Sequence, residues 1–257
     1  MSVYNGMPFL KEAVKSILKQ TYKNFEFIIV DDVSKDDTWR YLKSLRDMRI
    51  KLIQNKKNLG LAASLNIALR QAQGDFVARM DADDISLSGR FKTQIEFFKK
   101  NPSIGICGTW ADLIDEKDVK VGEKKHPTDD KSINKDLIFY NPVIHPTLMA
   151  KKEVFIKLKG YNPQYDFVED YDFLLRAKNY FKIANVPKKL LMLRLSSKRR
   201  SQNSMSKMDK MELAMKVNNL KEEFSYQLLF AVIEKFLMTY LLPSGFKLRL
   251  ARILKLA

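Results

Sequence analysis

Three carboxylates fall within four positions at Asp81, Asp83 and Asp84, in the stretch FVARMDADDISL (76–87). They follow directly on a short apolar run that reads as a buried strand. Carboxylates this close repel one another unless a cation lies among them. Hard divalent cations prefer oxygen ligands, and magnesium sites are often built from one or two carboxylates plus substrate phosphates. An Asp-x-Asp pair at a strand end, Asp81-Ala82-Asp83, has the chemistry to hold such an ion. Alone, the motif is unspecific, because acids also cap helices, a role open to Asp84 or Ser88 before the segment GRFKTQIEFFKKN (89–101). A second pair, Asp31-Asp32, ends the run FEFIIV (25–30). A third group, Glu169, Asp170 and Asp172, lies in VEDYDFLLRA. On residue type alone that group reads as acids in a helix's first turn, where negative charge is favoured.

The elements that must position these acids alternate. FEFIIV and IKLIQ (50–54) are short, apolar and β-branched, and DFVARM (75–80) is the next strand. Between them, DDTWRYLKSLRD (36–47) carries a helical stripe at Trp39, Leu42 and Leu45, and LAASLNIALRQAQ (61–73) is a helix bounded by Gly60 and Gly74. Such alternation predicts an α/β fold with parallel pairing and helices on both sheet faces. Ligands of open α/β sheets bind outside the carboxyl ends of the strands, where two of the acidic groups fall. The opening MSVYNG reads as the last turn of a strand entering a loop, so a truncated first strand is expected.

The 257 residues suffice for a full core without staples, and the single Cys107 excludes an internal disulfide framework and a multi-cysteine zinc site. No secretory signal is recognisable, which places the chain on the cytosolic side by default. The net charge of +16 attracts polyanions, but the cations gather late. From about residue 205 the pattern becomes a helical tract, so a basic helical extension over 205–257 is expected after a domain over 1–204. The apolar part of the tract is too short to span a membrane and is interrupted by Glu234 and Lys235. The closing segment 243–257 places Phe246, Leu250, Ile253, Leu254 and Ala257 on one helical face, with Lys247, Arg249, Arg252 and Lys255 and no acid. That profile suits a helix lying in an anionic membrane interface, or one packed on its own domain or on a second subunit as a homodimer.

Six ordered segments carry a resemblance: SVYNG (2–6), QTYKNFEFIIVDDVSKDDT (20–38), NLGLAASLNIAL (58–69), GDFVARMDADDIS (74–86), NPVIHPTLMAKKEVF (141–155) and GYNPQYDFVEDYDFLLRA (160–177). Together, over about residues 1 to 200, they resemble the family 2 glycosyltransferases of the GT-A fold, inverting enzymes of bacterial polysaccharide and glycolipid assembly. The resemblance implies a Rossmann-like, mostly parallel central sheet with flanking helices. It implies that Ser2 and Tyr4 border a donor nucleotide and that Asp32 accepts a hydrogen bond from its base, usually uracil, while Asp31 orients the loop. Asp83 becomes the direct ligand of Mg²⁺ or Mn²⁺ on the diphosphate, with Asp81 toward the sugar or ribose. Asp170 maps onto the general base, with Glu169 before it. His145, in NPVIHPT, falls on the acceptor-side wall, where it contacts donor or acceptor or holds the loop between Pro142 and Pro146. Arg194 sits where the family shows Arg-x-His and serines in a loop closing over the diphosphate. Here Ser196 replaces the histidine, leaving Lys198, Arg199 or Arg200 to substitute, or to form a solvated basic loop.

The implied activity is transfer of a sugar from a nucleotide-diphosphate donor, UDP-linked by family habit, to a hydroxyl of a glycan or lipid-linked glycan, peripherally at the inner face of the cell membrane. No G-x-G-x-x-G follows a strand and no G-x-x-x-x-G-K is present, which disfavours a dinucleotide-dependent oxidoreductase and a P-loop enzyme. A receiver domain is about half this length. The rivals are a basic protein binding nucleic acid or anionic membrane without catalysis, and an inactive truncated paralogue; no specific nucleic acid is expected as a partner.

Overall fold

The computed structural model describes residues 1–196, 205–222 and 224–240. The chain forms two compact units, Met1–Ser197 and Lys198–Ala257. In the first, β1 (Ser2–Val3), β2 (Phe27–Asp31) and β3 (Ile50–Gln54) make a parallel three-stranded sheet in the order β1-β2-β3. All five residues of β2 are buried, as expected of an inner strand covered on both faces. The helix α1 (Leu10–Leu18) connects β1 to β2 and buries Leu10, Ala13, Val14 and Ile17, one face at helical spacing. The helices α2 (Thr38–Ser44) and α3 (Leu61–Gln71) follow β2 and β3.

A second sheet has the order β4-β8-β6-β9-β5, with β7 paired to β6. Its strands are β4 (Phe76–Ala78), β5 (Ile85–Ser86), β6 (Ile104–Ile114), β7 (Lys120–Lys124), β8 (Met149–Lys151) and β9 (Lys182–Arg194). The alternation read from the sequence runs through α4 (Arg90–Lys100). In the second sheet the pairings are antiparallel, those of β4 with β8 and β5 with β9 included, except that β6 with β9 is the parallel pair. The hairpin β6–β7 explains part of this, since strands joined by a short turn must pair antiparallel. The helices α5 (Asp130–Asp136), α6 (Lys152–Leu158) and α7 (Glu169–Ala177) complete the unit. Cys107, fully buried in β6, has its thiol pushed up to about 12 by burial, so it is packing rather than chemistry.

Between β2 and β4 lies an apolar cavity of about 810 Å³ whose wall includes Met1, Phe27, Ile28, Phe76, Val77 and Arg79. None of Asp81, Asp83, Asp84, Glu169 or Asp170 lines it. In the second unit the long helical tract divides into α8 (Met205–Glu222) and α9 (Tyr226–Tyr240). No described helix is long and apolar enough to cross a membrane. The segment 243–257 and the residues Lys198, Arg199 and Arg200 lie outside the described residues.

Candidate active site

The three carboxylates that follow β4 converge: one oxygen from each of Asp81, Asp83 and Asp84 lies within 4.8 Å of the others. The turn that presents them is clamped by Arg194, at the end of β9. Its backbone N–H donates to Asp84 Oδ1 at 2.8 Å and its Nε–H to the Asp83 carbonyl at 2.8 Å. The rest of the guanidinium donates to the Asp115 carbonyl, to Asp118 and to Glu12 Oε2 at 3.0 Å, and it lies over the Phe9 ring. Arg194 is thus 1% exposed, with its guanidinium committed to protein partners on α1, the β6–β7 turn and the Asp83 carbonyl, and it braces the carboxylate turn through its backbone N–H and its Nε–H. Ser196, two residues on, is buried as well. Arg194→Ala removes donors from two main-chain carbonyls and strips Glu12 and Asp118 of their cation. It should lower unfolding free energy by about 3 kcal/mol or more, measured by urea titration; a change within about 0.5 kcal/mol would contradict the clamp.

The ends of β1 and β2 form a second part of the site. Asp32 is buried, and its Oδ1 accepts from Asn55 Nδ2 at 2.7 Å and from Leu59 N–H at 2.8 Å, while Oδ2 accepts from Gly60 N–H at 2.9 Å. A carboxylate offers about four lone-pair positions, so one on Oδ2 stays open beyond these three. Asp31, the loop-orienting candidate, accepts from Gln54 Nε2 at 3.0 Å and from Ser34 N–H. Ser2 is buried beside this turn and Tyr4 is 46% exposed. Gly60 has φ +86° and lies against the Asp166 carboxylate, which accepts from Ala62 N–H at 2.8 Å; a Cβ there would collide with it. Glycine is required where the chain needs positive φ and close approach together.

The third part is the amino end of α7. Asp170 Oδ2 accepts from Asn141 Nδ2 at 2.8 Å, and Oδ1 from the Tyr171 N–H at 2.8 Å. Burial raises the Asp170 pKa above the ordinary carboxylate value, against these hydrogen bonds and the Arg79 charge, which pull it down. Glu169 is buried beside it. His145, at the start of a 3₁₀ turn (His145–Thr147), places Nδ1 3.9 Å from both Glu169 Oε1 and Asp170 Oδ2, and Nε2 3.1 Å from the Tyr161 hydroxyl. Asp172 accepts from Arg176, which also reaches the carbonyls of Leu158 and Gly160, so this acid braces α7 against the end of α6.

Arg79 joins the parts. It is 5% exposed, ion-paired with Asp81, and its charge acts on Glu169, Asp170, Tyr161 and His145. The same Tyr161 phenol is raised by burial and feels Asp81, Glu169 and Asp170, so the Asp-x-Asp turn and the α7 terminus lie within electrostatic reach of the same side chains. Arg90, fully buried on α4, fixes its backbone by donating to the Arg79 carbonyl at 3.0 Å and to the Pro146 carbonyl. Sequence reading missed Arg79, Asn141, Tyr161 and Asp166. For Arg79 a signal existed: a cation two residues before Asp81 in an extended run shares its face.

Burial, followed by the Arg79 charge, holds the His145 pKa well below 6.5, and burial lowers that of His126 to about 4. Unfolded histidine takes up a proton near pH 6.5. Folded pKa values below that make this contribution to stability complete above about pH 6.5 and lost as pH falls. Each histidine can contribute a slope of up to about 1.4 kcal/mol per pH unit in that window. Proton NMR should find neither imidazole protonated in the folded protein down to about pH 5; titration near 6.5 would contradict the burial.

A family model described as "Glycosyl transferase family 2" matches residues 1–158, more than half of the chain. The chain belongs to glycosyl transferase family 2. An uncharacterized glycosyltransferase of Haemophilus influenzae is 33% identical over 236 residues, covering 88% of this chain and 72% of that protein. Among solved structures, TarS of S. aureus (residues 1–349, in complex with UDP-GlcNAc) superposes with a TM-score of 0.70 at 19% identity, over 92% of this chain and 71% of that one. The mannosyltransferase PcManGT of Pyrobaculum calidifontis, in complex with GDP-Man and Mn²⁺, gives a TM-score of 0.63 at 17% identity, over 93% and 68%. These likenesses show the GT-A-like α/β fold. This family 2 member is a nucleotide-sugar-dependent glycosyltransferase, and the acidic turn is its Asp-x-Asp group.

Proposed function

We propose that the chain transfers a sugar, with inversion, from a UDP-linked donor to a hydroxyl of a glycan or lipid-linked glycan, and that Asp170 is the general base. The observation that carries this reading is the pairing of a three-carboxylate turn with a separate, hydrogen-bonded carboxylate of raised pKa, both within reach of the Arg79 charge. Two carboxyl environments pushed apart in this way divide electrostatic and proton-transfer roles.

The donor set fits Mg²⁺ or Mn²⁺, since among the described residues three carboxylates and no histidine or cysteine converge at the turn. Asp83 would hold the ion, with Asp81, paired to Arg79, toward the sugar or ribose, while Asp84, buried and bonded to the Arg194 N–H, props the turn. When bound, such an ion neutralises charge developing on the departing diphosphate. The chain's own groups do the rest. Ser2, Tyr4 and the open position on Asp32 receive the nucleoside. Arg194 serves that end indirectly, as a positioning residue for the turn rather than a phosphate contact. Asp170 takes the acceptor hydroxyl proton as the oxygen bonds to the anomeric carbon and the bond from that carbon to the diphosphate oxygen breaks. Asn141 aims the base, Glu169 and Arg79 balance charge behind it, and the neutral His145 lines the acceptor side.

TarS bound to UDP-GlcNAc supports a uridine donor, and PcManGT with GDP-Man and Mn²⁺ keeps guanosine as the competitor. Calorimetric titration of UDP and of GDP, with Mn²⁺ and then with EDTA, tests the reading. Tight, metal-dependent binding of UDP alone is expected; preference for GDP would reverse the base assignment, and binding unaffected by EDTA would remove the metal.

A further inference from the structure

The helix pair of the second unit buries charged side chains while leaving a large apolar face exposed. Lys235, on α9, lies at 2.8 Å from Asp209 Oδ1 and 2.6 Å from Glu212 Oε2, both on α8, and Lys216 lies at 2.9 Å from Glu212 Oε1. These four charged side chains are largely buried between and along the helices, with Lys216 at 2% residue exposure. Burial pulls the Lys235 pKa down, yet Glu212 and Asp209 outweigh it and raise the value above the ordinary one, so the ion pairs are satisfied. Leu213, Met215 and Ala231 are buried with them, while the larger apolar side chains of α9 point the other way. Tyr226, Phe230, Ile233, Leu237 and Tyr240 recur at steps of four and three and share one face of α9. All five are exposed, from 82% at Tyr226 to 44% at Leu237, and Phe236 beside them is exposed too.

A helix pair adapted to water buries its apolar stripe and exposes its charges. The reverse arrangement, with a contiguous apolar and aromatic face left outside, marks an interaction surface. Three observations choose the occupant. First, α9 has 15 residues, about 22 Å of helix, against about 30 Å of hydrocarbon, so it can lie along a bilayer but not cross it. Second, the stripe mixes tyrosines, which have an apolar ring and a polar hydroxyl, with Phe and aliphatic residues, a composition that suits the boundary between headgroups and acyl chains. Third, residues 198–257 contain twelve lysines and arginines against five acids, the complement of an anionic surface. A helical seam between two copies would want aliphatic a and d positions with flanking charges to set register, and three of the five residues of this stripe are aromatic.

We infer that the outer face of α9 is a docking surface for anionic phospholipid, in which the helix lies parallel to the bilayer. The inference rests on the exposed face of α9 and on the sequence charge of residues 198–257, and it stands whether or not the donor assignment above does.

Flotation of the full chain with vesicles of equal parts phosphatidylglycerol and phosphatidylcholine, and of phosphatidylcholine alone, tests it. The protein should float with the anionic vesicles, and high salt should weaken the binding. The double variant Phe230→Ser, Leu237→Ser should partition about ten-fold less or worse, with unchanged circular dichroism and unchanged UDP titration. Failure of the unaltered chain to float with anionic vesicles, or equal binding by the variant, would overturn the inference. So would sedimentation showing a lipid-free dimer that the double variant dissolves, which would assign the face to a second copy.

Discussion

Asp170→Asn should lower kcat by about two orders of magnitude or more while leaving the donor dissociation constant within about two-fold. The substitution keeps the side chain's shape but removes its capacity to take a proton, which contributes typically about 10²–10⁴-fold. Donor affinity should survive because the carboxylate turn and the ends of β1 and β2 do not rely on Asp170 for their hydrogen bonds. Some stability should be lost. Asp170 accepts from two donors, the Asn141 amide and the Tyr171 N–H, and an amide has one oxygen to meet them. Asn141 cannot simply rotate, since its own Oδ1 accepts from the Val143 N–H at 2.9 Å. A cost of about 1–2 kcal/mol follows. Activity equal to that of the unaltered chain would take Asp170 out of the mechanism.

The pH profile adds a sign to this prediction. Burial raises the Asp170 pKa, so the acidic limb of kcat should lie above the ordinary carboxylate range. The Asn141 N–H favours the charged carboxylate and therefore lowers that pKa. Asn141→Leu should move the limb to higher pH, whereas a residue with a merely structural role would lower kcat at every pH alike.

How much of this was legible in the sequence follows from what periodicity encodes. IKLIQ (50–54) is β3 to the residue, and the segments read as helices over 61–73 and 89–101 are α3 and α4 less their frayed ends. Local pattern decides such elements. The antiparallel half of the fold was not legible, because strands as short as β5 and β8 carry no period of their own and are defined by their partners. The acidic groups announced themselves by composition. The side chains that give them direction did not, since Asn141 and Asp166 act on residues 29 and 104 positions away. Arg194 shows the limit most clearly. Its position in the sequence suggested a loop closing on phosphates, but its contacts with Glu12, Asp83 and Asp118 bridge separations of up to 182 residues and turn it inward.

Asp83→Ala should weaken Mn²⁺-dependent UDP binding by about 100-fold and leave the fold intact. The argument lies in how the three acids of the turn are employed. Asp84 is 1% exposed and accepts from the Arg194 N–H, so Asp84→Asn should register mainly in stability. Asp81 is ion-paired with the buried Arg79, and removing its charge would leave that guanidinium short of its nearest carboxylate, disturbing metal binding and the Glu169 side together. Asp83 differs from both: its main chain is anchored by the Arg194 guanidinium through the carbonyl, while its side chain is half-buried and joins the cluster. Truncating that side chain spares the anchor. Calorimetry of UDP with Mn²⁺ should therefore show the loss, the same titration in EDTA should show little difference between Asp83→Ala and the unaltered chain, and urea unfolding should agree to within about 1 kcal/mol. If Mn²⁺ still tightened UDP binding as strongly in the variant, the ion would have to be held without Asp83, and the ligand assignment would pass to Asp81 and Asp84.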